Sequence, residues 1–434
     1  MRWCVGGSKP STPSSVARVN VVANFKVMNR QEGLRTARPA SQRGQVVILM
    51  LLVVFLGVGY LLYSMAGNRS AKYNRQAKTD AALAVARDAL LGRALSAANH
   101  PGSLPCPDAV TNAGGNVPGD GLADVVVGSN CPSYIGRFPW KTLGLPELRD
   151  GDGETLWYAL SPVFVDAPGN AINTDSIGSI TAYAGSTAGI VSSRAVAVVF
   201  SPGAPLGTQT RSLTQTAVCP MTGTTIAQSL CPNNYLELET VSGINNANTT
   251  GPYIAVPANA TFNDRMLVVS DSVDLLTPIE ARAAKAILGV LQAYKAGSGG
   301  FCNCYPWADI SAGDADEGLE YGRVPLINAD TGHSNDWSDA GVTIPQWLLD
   351  NNWRSVFFYS VAANRTYAHN SGTLTMDGVA GTDVVLISTG AATSGGRGWP
   401  CGYVDDAQNC DNGIVFITPT DTTSTNRDRI YVLP

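Results

Sequence analysis

Residues 46–65 read VVILMLLVVFLGVGYLLYSM, twenty positions without one charged side chain. At about 1.5 Å of rise per residue, a helix of that length covers about 30 Å, the thickness of a bilayer's hydrocarbon core. A buried core helix this long would carry a polar face. A secretory signal peptide would have a shorter apolar region, with a small-residue cleavage motif after it. Here the candidate small residue, Gly44, stands before the run. The sequence therefore predicts a transmembrane helix over residues 45–66.

Charge sets its direction. Residues 1–44 carry eight basic side chains, from Arg2 to Arg43, against the single acid Glu32. Basic flanks stay cytoplasmic, which puts the N-terminus inside and the rest of the chain outside. Beyond residue 44 lie 33 of the 34 acids and 21 of the 29 basic residues, a net charge of −12. So acidic a body argues against nucleic acid as a partner. Apart from Cys4, there are eight cysteines: Cys106, Cys131, Cys219, Cys231, Cys302, Cys304, Cys401 and Cys410. An even number outside the membrane predicts disulfides. No CxxC pair and only three histidines argue against a tetrahedral zinc site. Local loops suggest Cys106 with Cys131, Cys219 with Cys231 and Cys401 with Cys410. That leaves Cys302 with Cys304, and exchange between these last two pairs stays open.

A basic leader, SQRG at residues 41–44, and an apolar helix running on into an amphipathic one resemble the class III signal of type IV pilins and type II secretion pseudopilins. The resemblance implies that a prepilin peptidase cuts between Gly44 and Gln45 and methylates the new N-terminus. It implies other pilins or pseudopilins as partners through that helix, and a bacterial inner-membrane location with the large domain periplasmic or on a filament. Leu49 departs from the family pattern, which has a Glu at this fifth mature position to meet a neighbour's N-terminal amine. Some minor pseudopilins that cap a filament tip also lack it. The leader is long, and Met28 is an alternative start.

Residues 71–98 are rich in helix formers, with Ala82, Val85, Ala86, Ala89, Leu90 and Leu95 in one apolar stripe and Pro101-Gly102 as a stop. Strands are expected at residues 156–160, 195–200 and 265–269. The same order then recurs. Thr277-Pro278-Ile279-Glu280 reads as a capping box opening a helix that ends at Gly297. GRFP (136–139) is echoed by GRVP (322–325), LWYALS (156–161) by VFFYSV (356–361), FSPGA (200–204) by ISTGA (387–391), and NDRMLVV (263–269) by RDRIYVL (427–433). The expected fold is α+β: a transmembrane helix continuing into a pilin-like helix on an antiparallel β-sheet, then a second, degenerate helix-plus-sheet unit. The corresponding division is a leader at 1–44, the anchor at 45–66, a first domain at 67–272 and a second at 273–434. Within the first domain, LPCPDA followed by GRFPWKTLGLPELRDGDGETLWYALSP is similar to a subfamily of large prepilin-like proteins.

Catalytic signatures are missing: no Ser elbow, no HExxH, no phosphate-cradling Gly loop beside a Lys. The chain reads as non-enzymatic. One acidic cluster, Asp150-Gly151-Asp152-Gly153-Glu154, places oxygens on alternate residues of a pliant loop, a spacing that suits calcium. The resemblance points the same way, since pseudopilins of the secretion shaft hold calcium in a sheet loop. The EF-hand pattern is absent, with Thr155 at position six, and a plain hairpin turn is the competing reading. Asp120 and Asp124, and Asp314 and Asp316, are weaker candidates. Two function classes follow: a minor pilin or pseudopilin at the tip or initiation complex of a filament, or a membrane-anchored binding protein that uses the helix only as a tether.

Overall fold

The computed structural model describes residues 43–109, 117–297, 304–309, 320–325, 337, 340–362, 374–391, 409, 415–418 and 428–433, the side chains of 43–49, 61–69 and 272–273 excepted. The chain divides into two units, Met1–Gly67 and Asn68–Pro434. In the first, the described part is the N-terminal portion of α1 (Arg43–Ser96), and residues 50–60 are all solvent-exposed although apolar. Among the described residues no helix is long and apolar enough to cross a membrane. The expected span at 45–66 lies partly outside the described side chains.

The second unit is a mixed α+β structure. In α1 the buried face is Ala82, Leu83, Ala86, Leu90 and Ala94, at three- and four-residue spacing. The expected stripe is thus rotated: Val85 is exposed, and Ala89 and Leu95 are half-buried. The helix stops at Ser96, and Gly102, at φ +97°, returns its N–H to Ala94 O. Left-handed backbone there suits glycine.

Six strands form the first sheet: β1 (Ile135–Arg137), β2 (Trp157–Leu160), β3 (Ile180–Ala184), β4 (Ile190–Ser201), β9 (Tyr253–Ala255) and β10 (Arg265–Ser270). Their order is β1-β2-β4-β3-β9, with β10 also on β4, and every pairing is antiparallel except β3 with β9. Between β4 and β9 two small hairpins intervene, β5 (Thr216–Val218) with β6 (Thr225–Ala227) and β7 (Leu238–Glu239) with β8 (Ile244–Asn245). All three strands expected from the sequence are present, and β4 begins earlier than expected.

A π-helical turn, Asp271–Leu276, leads from β10 into α2 (Thr277–Gly297). Helical winding thus starts before Thr277, and the capping box does not form. Glu280, 1% exposed, is paired with Arg429, which also donates to Thr277 Oγ1 at 3.3 Å. α2 is described as far as the expected end at Gly297, where a Cβ would lie 2.1 Å from Ala340 O. After α2 come β11 (Tyr321–Arg323), a short α3 (Gln346–Asp350), β12 (Phe357–Val361), β13 (Leu374–Met376), β14 (Val379–Thr382), β15 (Val384–Ser388), β16 (Val415–Phe416) and β17 (Arg429–Leu433). The antiparallel second sheet is ordered β11-β12-β15-β17, and β14-β13-β16 form a third.

The first two sheets share one register. Arg137 pairs with Trp157, Trp157 with Phe200 and Phe200 with Met266. In the second, Arg323 pairs with Phe358, Phe358 with Ile387 and Ile387 with Ile430. The sequence echoes fall at equivalent positions with one correction: Trp157 corresponds to Phe358, one residue further than matching LWYALS to VFFYSV letter by letter. Alternate residues face opposite sides of a strand. Tyr158, Leu160 and Val199 therefore turn to the same core as Tyr359, Val361 and Leu386, together with α1 and α2. Trp157, Val198 and Phe200 face a second core capped by Tyr235 and Tyr253. The junction at 271–277 is consequently no gap between separate cores: one apolar cluster runs from Ala82 to Leu433 within a single compact unit.

Candidate functional site

Gly44, Gln45 and Leu49 lie in the first turns of α1, which begins at Arg43. Further along, at residues 50–60, Met50, Phe55 and Tyr60 are 65–73% exposed, and an added Cβ at Gly57 or Gly59 would meet nothing.

The acidic loop is a hairpin turn seated on α1. Asp150 N–H donates to Glu154 O, and Gly153 N–H donates to Asp150 O. Gly151 gives its N–H to Thr79 Oγ1, and a Cβ on it would stand 2.1 Å from Arg75 O. Only glycine allows that approach. Asp150 is fully buried, and both carboxylate oxygens are occupied. Oδ1 accepts the N–H groups of Asp152 and Glu154, each at 2.9 Å; Oδ2 accepts Ser201 Oγ–H at 2.8 Å and Gly203 N–H at 2.9 Å. Asp152 pairs with Arg75 at 3.2 Å, and Glu154 with Arg211 at 3.1 Å. The expected calcium set is not brought together. Three carboxylates go to three different partners, and among the described residues no group of three His, Cys, Asp or Glu could hold a metal ion. What the loop does instead is tie α1 to the end of β4.

A second acidic group gathers around Asp108, the Asp of LPCPDA, which the sequence does not mark as a site residue. Its Oδ1 accepts Gly119 N–H at 2.6 Å and its Oδ2 accepts Gly121 N–H at 2.7 Å. Asp124 accepts Ala109 N–H at 2.8 Å, and Asp120 accepts Leu122 N–H. Burial raises the Asp108 pKa to about 6 against the pull of those N–H donors. Burial, reinforced by the charges of Asp108 and Asp120, raises Asp124 to about 7. Asp314 and Asp316 lie outside the described residues.

These raised values have a stability consequence. A carboxyl whose folded pKa exceeds its unfolded value of 3.8 favours folding below that value, and this contribution disappears as pH rises through the folded value. In thermal unfolding, the contribution of this pair to stability should therefore fall from pH 4 to 7. Asp124→Asn keeps an acceptor for Ala109 N–H but cannot ionise, so its slope should be flatter. An unchanged slope would remove Asp124 from this account.

Disulfides join Cys106 to Cys131 and Cys219 to Cys231, as the local spacing predicts. Cys304 is also disulfide-bonded. Cys302, Cys401 and Cys410 lie outside the described residues. Such bonds suit an oxidising, extracytoplasmic compartment. No family model matches this chain, and neither a curated protein nor a solved structure matches it.

Proposed function

We propose that this chain is a minor pilin or pseudopilin, a non-catalytic subunit of a type IV pilus-like or type II secretion filament that works at the tip or in the initiation complex. The observation carrying the proposal is Gly44, set between a strongly basic leader and an uncharged run at the start of α1. A simple tether needs no processing signal at that boundary. In this reading residues 45–66 span the inner membrane, with the N-terminus cytoplasmic until a prepilin peptidase removes it. Two further features support it. The apolar helix is uncovered by protein at residues 50–60, as expected of a surface meant for lipid or neighbouring helices. The helix then packs its C-terminal part against an antiparallel sheet, in the pilin manner.

Leu49 favours the tip over the shaft. A charged amine in lipid is costly unless paired, and Leu49 offers a neighbour's amine no carboxylate. Cleavage would leave 390 of 434 residues, two helix-plus-sheet halves on one anchor, which is bulky for side-by-side packing. Mass spectrometry of protein extracted from a host with prepilin peptidase should give an N-terminus at Gln45. Quantitative proteomics of sheared filaments should find the protein scarce relative to the major subunit. An intact leader with no filament association would favour the anchored binding protein instead. Stoichiometry close to the major subunit's would exclude the tip.

A further inference from the structure

We propose that His100 is a proton-operated latch in the first half of the Asn68–Pro434 unit, beside its seam with the second, gripping the 166–170 loop when its ring carries two protons and releasing it when one is lost. Its Nδ1 lies 3.2 Å from Asp166 Oδ1 and its Nε2 lies 2.5 Å from Asn170 O. A carboxylate and a backbone carbonyl are both acceptors. A neutral imidazole has a single N–H, so only the imidazolium donates to both. Once deprotonated, one ring nitrogen must point its lone pair at an oxygen. The released proton goes to bulk water.

Charges around the ring favour the same form. Asp166 is also held by Arg93 of α1 at 2.7 Å. Asp350, at the end of α3 in the second half, lies along the same groove, with Asn99, Asn170 and Asn351. From α2, Arg282 donates to Leu95 O and Ala97 O at 2.7 Å each, just before His100. Burial pushes the His100 pKa down. The hydrogen bonds to Asp166 and Asn170, with the negative charges of Asp166 and Asp350, outweigh burial and raise it overall.

Loop 166–170 leads directly to the contacts that hold the halves together. Ile172 N–H donates to Asn351 Oδ1 at 2.9 Å, Asn173 Nδ2 to Asn351 O at 2.8 Å, and Thr174 Oγ1 to Gly390 O at 2.8 Å. A grip on 166–170 therefore braces the seam. Because the folded pKa is raised, the brace is complete below the ordinary histidine value of about 6.5 and is lost as pH rises through the folded value.

The test is hydrogen exchange followed by mass spectrometry on the full chain in detergent, from pH 6 to 9, corrected for intrinsic exchange. Protection of peptides spanning 166–174 should fall by up to about tenfold per pH unit while the single proton is being lost. His100→Gln, neutral at every pH, should show a flat profile. Protection that does not change with pH, or that falls equally in His100→Gln, overturns the latch. Should that variant fail to fold, the ring C–H titration of the native protein decides, with His333→Gln and His369→Gln used for assignment. A midpoint above about 6.5 is expected, and one at or below it overturns the proposal.

Discussion

Replacing Gly44 by alanine is expected to leave the leader uncut and to reduce filament incorporation to background. This prediction belongs to the pilin reading, in which the peptidase cuts after Gly44 and the freed Gln45 begins the subunit that leaves the membrane. With no Cβ, glycine lets an enzyme approach the backbone of the bond it cuts. The leader contributes seven net positive charges. Retained, it would keep the helix anchored from the cytoplasmic side, because moving that charge across the bilayer is prohibitive. The folded body should be unaffected, since Gly44 lies outside the compact unit Asn68–Pro434. Immunoblots of membrane and sheared-filament fractions would check both halves of the expectation. A variant cut at the same bond, or assembled uncut at the native level, would sink it.

The other large effect is expected at two glycines that occupy the same place in the two sheets. A Cβ on Gly136 would stand 2.3 Å from Asp108 O, and one on Gly322 would stand 2.6 Å from Asp309 O. Both obstacles are backbone atoms, fixed by reciprocal hydrogen bonds. Asp108 N–H donates to Arg137 O and Arg137 N–H to Asp108 O, at 3.0 and 2.8 Å; Asp309 and Arg323 repeat the exchange at 3.1 and 2.6 Å. A rotamer change cannot relieve such a clash, so the segment must move away and lose the pair. Gly136→Ala and Gly322→Ala should each cost about 3 kcal/mol, the upper part of the range for overpacking. Gly92→Ala is the control. It is a helical glycine where a Cβ meets nothing, and it should gain up to about 1 kcal/mol. Urea unfolding of the three variants would decide. A loss below about 1 kcal/mol at both Gly136 and Gly322 would mean that the backbone pairs yield freely.

Much of the secondary structure could be read in advance, but several side-chain destinations could not. Strands around Trp157, Val198 and Val268 are short apolar runs bounded by turn residues, and they stand where expected. The buried stripe of α1 lies part of a turn from the expected one. Val85 and Ala82 are equally plausible from spacing, and the choice falls to whichever neighbours offer a surface. Thr277 and Glu280 have the letters of a capping box, yet the preceding π turn had already opened the helix and Arg429 claimed the acid. At Asp150, alternating oxygens on a Gly-rich loop fit a cation as well as a turn. Hydrogen bonds from 51 and 53 residues away, at Ser201 and Gly203, take up Asp150 Oδ2, and no local pattern reveals them. The role of Asp108 is hidden from the sequence for the same reason, its partners being the N–H groups of Gly119 and Gly121.

What the sequence determined by itself is local or periodic: the uncharged twenty-residue run, the basic stretch before it, and the helix reaching Gly297. The short-range cysteine pairs and the recurrence of the same markers in one order belong to this class too. Each depends on a few neighbouring residues or on a simple spacing. Only the tertiary structure decided that Trp157 answers Phe358, and that Tyr158 and Tyr359 turn into one common core. Strand side chains alternate with a period of two, so a slip of one residue exchanges the faces of a sheet while leaving the letters nearly as similar. The choice between two such registers is made by burial against helices and sheets distant in the chain, and an echo between short segments carries no record of it.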